Sequence, residues 1–297
     1  MTWPRRSQRD DEARQRRFER LTRVLACPRC HGRLAYSETA ASCAACARDY
    51  RIRDHRVYFV DVPGRHDEMD RLKGALKRVL GHAYYRVGVD WFAPTFPLNF
   101  GRFISRFVNP SVQVVVDAGS GNRRLHADLI CIDLFDYEVV DVVCTLEALP
   151  FQSSAIDAFV SRSVLEHVPA PELVVKEFHR CTRPGGLSIH MIPFLYPFHA
   201  SPADYHRLTH RGHEVLFERW HKVLQTNPTG PISAILLQLI EVLSTVLSVN
   251  SPRIKSFAYL ALCGLLFPVK FLDVVFIHRA AFMTSAASIL SVVRKAE

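Results

Sequence analysis

The chain has 297 residues, 48% hydrophobic and 23% charged, with a formal net charge of +9. That length holds one large and one small domain with an ample core. The first two dozen residues lack the apolar core of a secretory signal, so a cytoplasmic location is expected.

The charge is partly local. Arg5, Arg6, Arg9, Arg14, Arg16, Arg17, Arg20 and Arg23 crowd the amino-terminal stretch, interleaved with Asp10, Asp11, Glu12 and Glu19. Such a pattern reads as the solvated face of a helix. The alternatives are a surface for an anionic membrane or for nucleic acid.

Eight cysteines are spread unevenly. Cys27-Pro28-Arg29-Cys30 and Cys43-Ala44-Ala45-Cys46 form two Cys-x-x-Cys knuckles, twelve residues apart. Each knuckle sets two thiolates on one side of a tight turn, and two facing turns complete a tetrahedral metal site. Residues 50–60 then read as a hairpin. Residues 24–60 as a whole resemble the Trm112-like zinc-ribbon family. That resemblance implies a structural Zn2+ on Cys27, Cys30, Cys43 and Cys46, since four thiolates leave no position open for substrate. Two disulfides in an oxidising compartment are the alternative. Cys131, Cys144, Cys181 and Cys263 stand in apolar or helical contexts and read as packing residues. Residues 1–62 are thus a basic helix and a ribbon, and residues 63–111 a linker with helices. Helical spacing of Met69, Leu72, Leu76 and Leu80 predicts a helix over 67–80.

Next comes Val114-Val115-Val116-Asp117-Ala118-Gly119-Ser120-Gly121-Asn122. A β-branched run ending in an acid and a Gly-x-Gly turn is how a buried strand of an α/β nucleotide-binding sheet meets its ligand loop. Glycine lets the main chain approach a ligand that a Cβ would push away. A dinucleotide fingerprint wants a third glycine three residues after the second. Arg124 holds that place, so no pyrophosphate pocket is indicated. Residues 129–133 read as a second strand ending in Asp133, an acid suited to ribose hydroxyls. Leu149-Pro150-Phe151 follows, then a strand over 155–161 and the element Val164-Leu165-Glu166-His167-Val168. After one amphipathic helix come Arg183-Pro184-Gly185-Gly186 and a strand over 187–192.

This ordered series, covering residues 112–226, resembles the methyltransferase type 11 branch of class I S-adenosylmethionine-dependent methyltransferases. The resemblance implies an S-adenosyl-L-methionine site. Gly119, Ser120 and Gly121 would border the cofactor, with Asp117 ordering the loop and Asp133 holding the ribose. Leu146, Glu147 and Ala148 would line the adenine, and Ser161 would lie beside the path of the methyl group. A side chain at position 119 is expected to intrude on the cofactor and leave the fold intact. Residues 88–107, rich in aromatics and proline, are expected to close over the cofactor. Two departures stand out. The span from Gly121 to Asp133 is short, so the first helix of the fold must be abbreviated or rebuilt. Thr145 stands where the family has an acid for the adenine amino group, with Glu147 near enough to substitute.

A polar-aromatic loop over 193–209 leaves the carboxyl end of a central strand, where open α/β sheets bind ligands. His199 is the first candidate for a general base toward a hydroxyl acceptor, followed by Asp204 and Tyr205. A plain connector is the alternative. His167 reads as a structural histidine or a cofactor neighbour. A helix over 210–220, a strand over 222–225 and a strand over 286–294 follow. The resemblance makes those strands six and seven, a hairpin at the sheet edge.

Between them, residues 231–280 form an apolar insertion. The runs 232–249 and 257–277 are nearly continuous hydrophobe, broken by Gln238, Glu241, Lys270 and Asp273. Each has about the length that spans a bilayer. The internal charges, Pro268 and the return to the sheet argue against simple spanning. A helical hairpin docked in the membrane interface and a lid packed on its own domain both remain. Arg253, Lys255, Lys270, Arg279 and Arg294 suit an anionic leaflet.

The expected architecture is α/β: a Rossmann-like seven-stranded methyltransferase sheet over residues 112–297, a small zinc ribbon in front, and a carboxyl-terminal apolar helical insertion. The expected function is S-adenosylmethionine-dependent methylation of a membrane-associated, glycan- or lipid-like acceptor at a hydroxyl. The partner would be a lipid-linked or small-molecule acceptor, with peripheral contact to the inner face of the membrane through 231–280. Two alternatives stay open. Methylation of an rRNA or tRNA base suits the ribbon and the basic start but not the insertion. A non-catalytic partner-binding homologue suits the departure at Thr145.

Overall fold

The computed structural model describes residues 8–63, 91–199 and 203–297; the helix expected over 67–80 lies outside the described residues. Helix α1 (Gln8–Val24) leads into the ribbon strands β1 (Leu34–Tyr36), β2 (Ala40–Cys43), β3 (Arg48–Arg53) and β4 (Arg56–Tyr58). A short helix α2 (Phe100–Ile104) precedes β5 (Val115–Ala118), β6 (Ile130–Asp133), β7 (Val142–Val143) and β8 (Ile156–Arg162). Then come α3 (Pro171–Cys181), β9 (Thr182–Pro193), α4 (His210–Leu216), β10 (His221–Thr229), α5 (Pro231–Leu247), α6 (Pro252–Leu266) and β11 (Ser288–Arg294).

The strands join one sheet in the order β1-β2-β3-β4-β7-β6-β5-β8-β9-β11-β10. From β7 to β9 all neighbours are parallel. Every residue of β5, β6 and β7 is buried, which is why these strands read as continuous β-branched runs. β11 runs antiparallel to both β9 and β10, so β10 points the same way as β9. The seven strands from β7 to β10 are the sheet expected from the sequence. The ribbon extends it further, since β4 pairs in parallel with β7 through Val57↔Val142 and Tyr58↔Val143. β10 is longer than the expected strand over 222–225. Thr226, Asn227 and Thr229 are buried and continue alongside β11 across an irregular register.

No helix connects β5 to β6, which accounts for the short span between Gly121 and Asp133. Helix α1 braces that connection. Its Leu21, Val24 and Leu25 enter the same core as Val116, Ile130 and Ile132. Arg17 donates to Asp141 Oδ1 at 3.1 Å and to the Ala127 carbonyl at 2.8 Å. Arg20 donates to the Pro110 carbonyl at 2.9 Å, and Arg14 to the Glu138 carbonyl at 3.0 Å. Positions three apart share a helix face, and for these three arginines that face is the docked one. This corrects the reading of a wholly solvated or ligand-facing basic stretch. Arg124, at the place of the missing third glycine, also turns inward and grips both Asp141 oxygens at 2.9 Å.

Helices α5 and α6 pack as a hairpin that continues into 3-10 turns over Phe267–Val275. The polar residues that interrupt its apolar runs fasten it. Asp273, fully buried, accepts from the Ile232 N–H at 2.9 Å and the Ser233 N–H at 2.8 Å, capping α5. Lys270, also fully buried, donates to the carbonyls of Trp91 (2.5 Å) and Ala93 (2.8 Å). Glu241 pairs with Lys255 at 2.5 Å across the two helices. Lys270 therefore cannot meet a membrane surface as the sequence suggested.

Candidate functional site

β5 ends in a turn that two glycines make, with φ +69° at Gly119 and +57° at Gly121. They serve different ends. A Cβ on Gly119 would lie 2.5 Å from the Val164 side chain, whereas nothing stands within 4 Å of one on Gly121. Gly119 is thus needed for close packing against the segment after β8, and Gly121 borders open space. Gly119 and Ser120 donate backbone N–H groups to the Ile132 carbonyl at 2.9 and 3.2 Å. Asp133, at the end of β6, accepts from the Gly121 N–H at 2.9 Å and the Phe135 N–H at 3.0 Å. It therefore shapes the turn itself. Asp117 is buried just before the turn. Burial pushes its carboxyl up to about 7, against the opposing pull of Arg162 and Arg124.

A cavity of about 230 Å³ lies past this turn, lined from Arg123 onward and not by the turn residues themselves. Pro97 to Gly101, part of the stretch expected to close over the cofactor, form one wall, and Arg123, Arg124, Leu125 and Arg162 the other. Arg162 was not anticipated. It is the charged last residue of an otherwise buried strand, and that is the signal that would have found it. After β7, Glu147 and Ala148 are exposed, while Leu146 packs into the main core. Ser161 is corrected too. Its hydroxyl is fully buried, 2.7 Å from His190 Nδ1, and so is engaged within the core. His190 in turn meets the Ser188 hydroxyl at 2.6 Å and lies stacked between Phe178 and Phe217. Burial pulls His190 down to about 3, keeping it neutral.

Beyond β8, a 3-10 turn over Leu165–His167 meets the loop that leaves β9. His199 Nε2 and His167 Nε2 each stand 3.6 Å from Glu166 Oε1. The two imidazole rings meet edge to face at 5.0 Å. Glu166 is fully buried, and among the described residues neither of its oxygens accepts a hydrogen bond. Sequence reasoning passed over it, although an acid inside Val-Leu-Glu-His-Val is itself a signal. Asp204 is not placed as a base. Burial alone would raise it, but the Arg207 guanidinium and the His199 N–H outweigh burial and hold it below the usual carboxylate range. Arg207 grips both of its oxygens at 2.5 Å. Tyr205 is 55% exposed; its backbone N–H donates to the Glu166 carbonyl at 2.8 Å and its ring lies against His206.

Residues 116–190 match the family model described as "Methyltransferase domain". The chain carries a class I S-adenosylmethionine-dependent methyltransferase domain. An uncharacterized methyltransferase of Mycobacterium avium (strain 104) is 31% identical over 90 residues, 30% of this chain and 34% of that one. One of Mycobacteroides abscessus is 31% identical over 102 residues, 34% of this chain and 35% of that one. The chain thus spans about a third of the length of the curated relatives it matches. Among solved structures, Haemonchus contortus phosphoethanolamine N-methyltransferase 2 in complex with S-adenosyl-L-methionine is 15% identical, with a TM-score of 0.48. That likeness covers 77% of this chain and 57% of the other.

The ribbon is joined to the methyltransferase domain by more than its sheet edge. Tyr58 donates to Asp136 at 2.9 Å, Arg56 pairs with the same acid, and the Ala26 N–H bonds the Pro150 carbonyl at 3.0 Å. The four sulfurs of Cys27, Cys30, Cys43 and Cys46 lie within 4.8 Å of one another. Cys27 and Cys46 are 3.6 Å apart and Cys30 and Cys43 3.4 Å, far beyond the ~2.05 Å of a disulfide. Four sulfurs each about 2.3 Å from one zinc would stand roughly 3.8 Å apart, so the donor set and its spacing fit that metal.

Proposed function

We propose that this protein transfers the methyl group of S-adenosylmethionine to a hydroxyl of a membrane-associated acceptor, glycan- or lipid-like. The bound cofactor supplies an electrophilic methyl carbon and leaves as a neutral thioether. The open side of Gly121 and the cavity beside it are suited to hold it, with Asp133 toward the ribose and the exposed Glu147 toward the adenine. Arg123 and Arg162 supply positive charge suited to a carboxylate. Glu166 and His199 follow the carboxyl ends of β8 and β9, where an acceptor hydroxyl enters. Alignment of acceptor and methyl donor is the main service such a site performs.

The observation that carries the acceptor class is the hairpin. α5 starts directly after β10, on the ligand side of the sheet. The hairpin's buried anchors Lys270 and Asp273 point inward, while Val246 (72% exposed), Val249 (82%), Phe257 (76%) and Leu265 (74%) point outward. Pro252–Val275 is long and apolar enough to cross a membrane, by length and composition, and 17% of its apolar window is buried. The Pro231 start beside the sheet and the Asp273 cap favour a hairpin lying in the interface. The hairpin also touches the site: Ser233 accepts from the Phe96 N–H at 2.8 Å, one residue before the cavity wall. Arg253 and Arg279 are exposed beside it. Each cation near an anionic leaflet is worth about 1 kcal/mol, and each large apolar side chain withdrawn from water about 1.5–3 kcal/mol. The RNA reading drew on the amino-terminal arginines, three of which turn inward.

Full-length protein is therefore expected to sediment with anionic vesicles, with added salt reversing this only in part. Val246→Asp combined with Phe257→Asp should abolish sedimentation and leave calorimetric cofactor binding unchanged. A wild type that binds cofactor but ignores vesicles would return the hairpin to a self-packed lid. A chain that binds no cofactor would favour the partner-binding reading.

The ribbon is proposed to hold structural zinc on its four thiolates. Cys43→Ser is expected to lower the zinc content by about one equivalent per chain and to loosen residues 24–60. Unchanged zinc in that variant, measured by elemental analysis, would refute the assignment.

A further inference from the structure

We infer that Glu166, His167 and His199 bind a divalent first-row transition ion of the zinc class, in a second metal site separate from the ribbon. Three observations converge on it. The first is the state of Glu166. A fully buried carboxylate is retained when it is hydrogen-bonded, paired or coordinated to metal, and among the described residues neither oxygen of Glu166 accepts a hydrogen bond.

The second is spacing. Both imidazoles present Nε2 to the same carboxylate oxygen at 3.6 Å. That is too long for a direct N–H···O bond, which lies near 2.7–3.2 Å. It is close to the roughly 3.4 Å between two donors that each sit about 2.1 Å from one tetrahedral ion. All three side chains offer a ligand atom within 4.8 Å of the others.

The third is what holds the rings. A metal-binding histidine commonly donates its other ring nitrogen to a carbonyl or carboxylate, which fixes its tautomer and its aim. His167 Nδ1 meets the Ala203 carbonyl at 2.5 Å. His199 Nδ1 lies 3.3 Å from the Pro197 carbonyl and 3.5 Å from Asp204 Oδ2. Arg207 Nη2 is also 3.3 Å from that nitrogen, but its short bonds go to Asp204 and the Pro197 carbonyl. Asp204, a poor candidate for a base, accepts from the His199 backbone N–H at 2.8 Å and thus becomes a positioning residue for that segment.

Two imidazoles and one carboxylate suit zinc, iron, cobalt or manganese, in contrast to the all-sulfur ribbon. Three protein ligands leave a coordination position open, as catalytic sites do. Val164, two residues before Glu166, packs on Gly119 of the cofactor turn, which ties this cluster to that loop. Use of the open position for an acceptor oxygen rests on the methyl-transfer reading above; the metal itself does not.

The test is a titration of the full chain, stripped of metal, with Co2+. The ribbon should give an intense thiolate-to-cobalt charge-transfer band. The second site should give only weak visible bands from nitrogen and oxygen ligands. Wild type is expected to take up about two equivalents. Glu166→Gln and His199→Ala are expected to take up one and to keep the thiolate band. Cys43→Ser should lose the thiolate band and keep the weak one, which guards against a Glu166 variant that fails to fold. A single equivalent with thiolate character in wild type would overturn the proposal, as would retention of both sites in the folded variants. Calorimetry with S-adenosylmethionine on the same samples reports separately on the methyltransferase reading.

Discussion

Gly119→Val is expected to abolish S-adenosylmethionine binding and also to destabilise the fold by several kcal/mol, whereas Gly121→Val should weaken cofactor binding with a smaller loss of stability. The sequence alone suggested that a side chain at 119 would intrude on the cofactor and spare the fold. The structure aims that side chain elsewhere. Its Cβ would meet Val164 at 2.5 Å, in a segment tied to the Glu166 turn. A branched residue there adds overpacking of about 1–3 kcal/mol to about 1–3 kcal/mol of strain for a non-glycine residue at positive φ. At Gly121 the strain is similar, but nothing stands within 4 Å to collide with. Thermal melts and calorimetry on both variants would separate the two roles. Equal melting temperatures for the two variants would show that Val164 yields freely and that the packing role of Gly119 is minor.

The pattern of the central sheet was legible because it is local. β-branched runs closed by acids or glycine identify β5 and β6 without knowledge of their partners. The knuckle spacing likewise brings the four cysteines together. What stayed hidden is set by distant contacts. An arginine-rich helix reads as solvated, since nothing local announces that Arg14, Arg17 and Arg20 will find carbonyls and an acid 90 to 124 residues away. Ser161 lies one residue before the end of β8, close to the expected place, yet the stacked His190 on the neighbouring strand claims its hydroxyl. The length of β10 was lost because Asn227-Pro228-Thr229 reads as a turn, and only β11 shows it to be strand. One signal was present and passed over. Glu166 and Asp141 are acids enclosed by apolar neighbours, in Val-Leu-Glu-His-Val and Val-Val-Asp-Val-Val. A charge in such a setting is retained for what it holds: Asp141 gathers Arg17, Arg124 and the Cys131 N–H, and Glu166 is the carboxylate of the proposed metal site.

Asp141→Ala should be the most damaging single substitution in the domain outside its glycine turn. The Asp141 side chain is 2% exposed and accepts from Arg17, from both arms of Arg124 and from the Cys131 N–H at 2.9 Å. Removing it strands two guanidiniums in the protein interior. Breaking a buried pair by deleting one partner costs about 3–5 kcal/mol, because the remaining charge is left uncompensated. Two pieces of structure depend on the same carboxylate. Arg17 ties α1 to the sheet, and Arg124 ties down the chain three residues past Gly121. The loss should therefore appear both as a lower melting temperature and as weaker binding of S-adenosylmethionine. Arg17→Met is the informative partner. It removes the α1 tie while Arg124 still neutralises Asp141, so stability should fall by less and cofactor affinity should hold. Because the two residues touch, the double variant should lose less than the sum of the singles. Additive losses in that cycle would mean that the Arg17–Asp141 pair has no part in holding α1. Cofactor affinity intact in Asp141→Ala would mean that Arg124 has no part in setting the glycine turn.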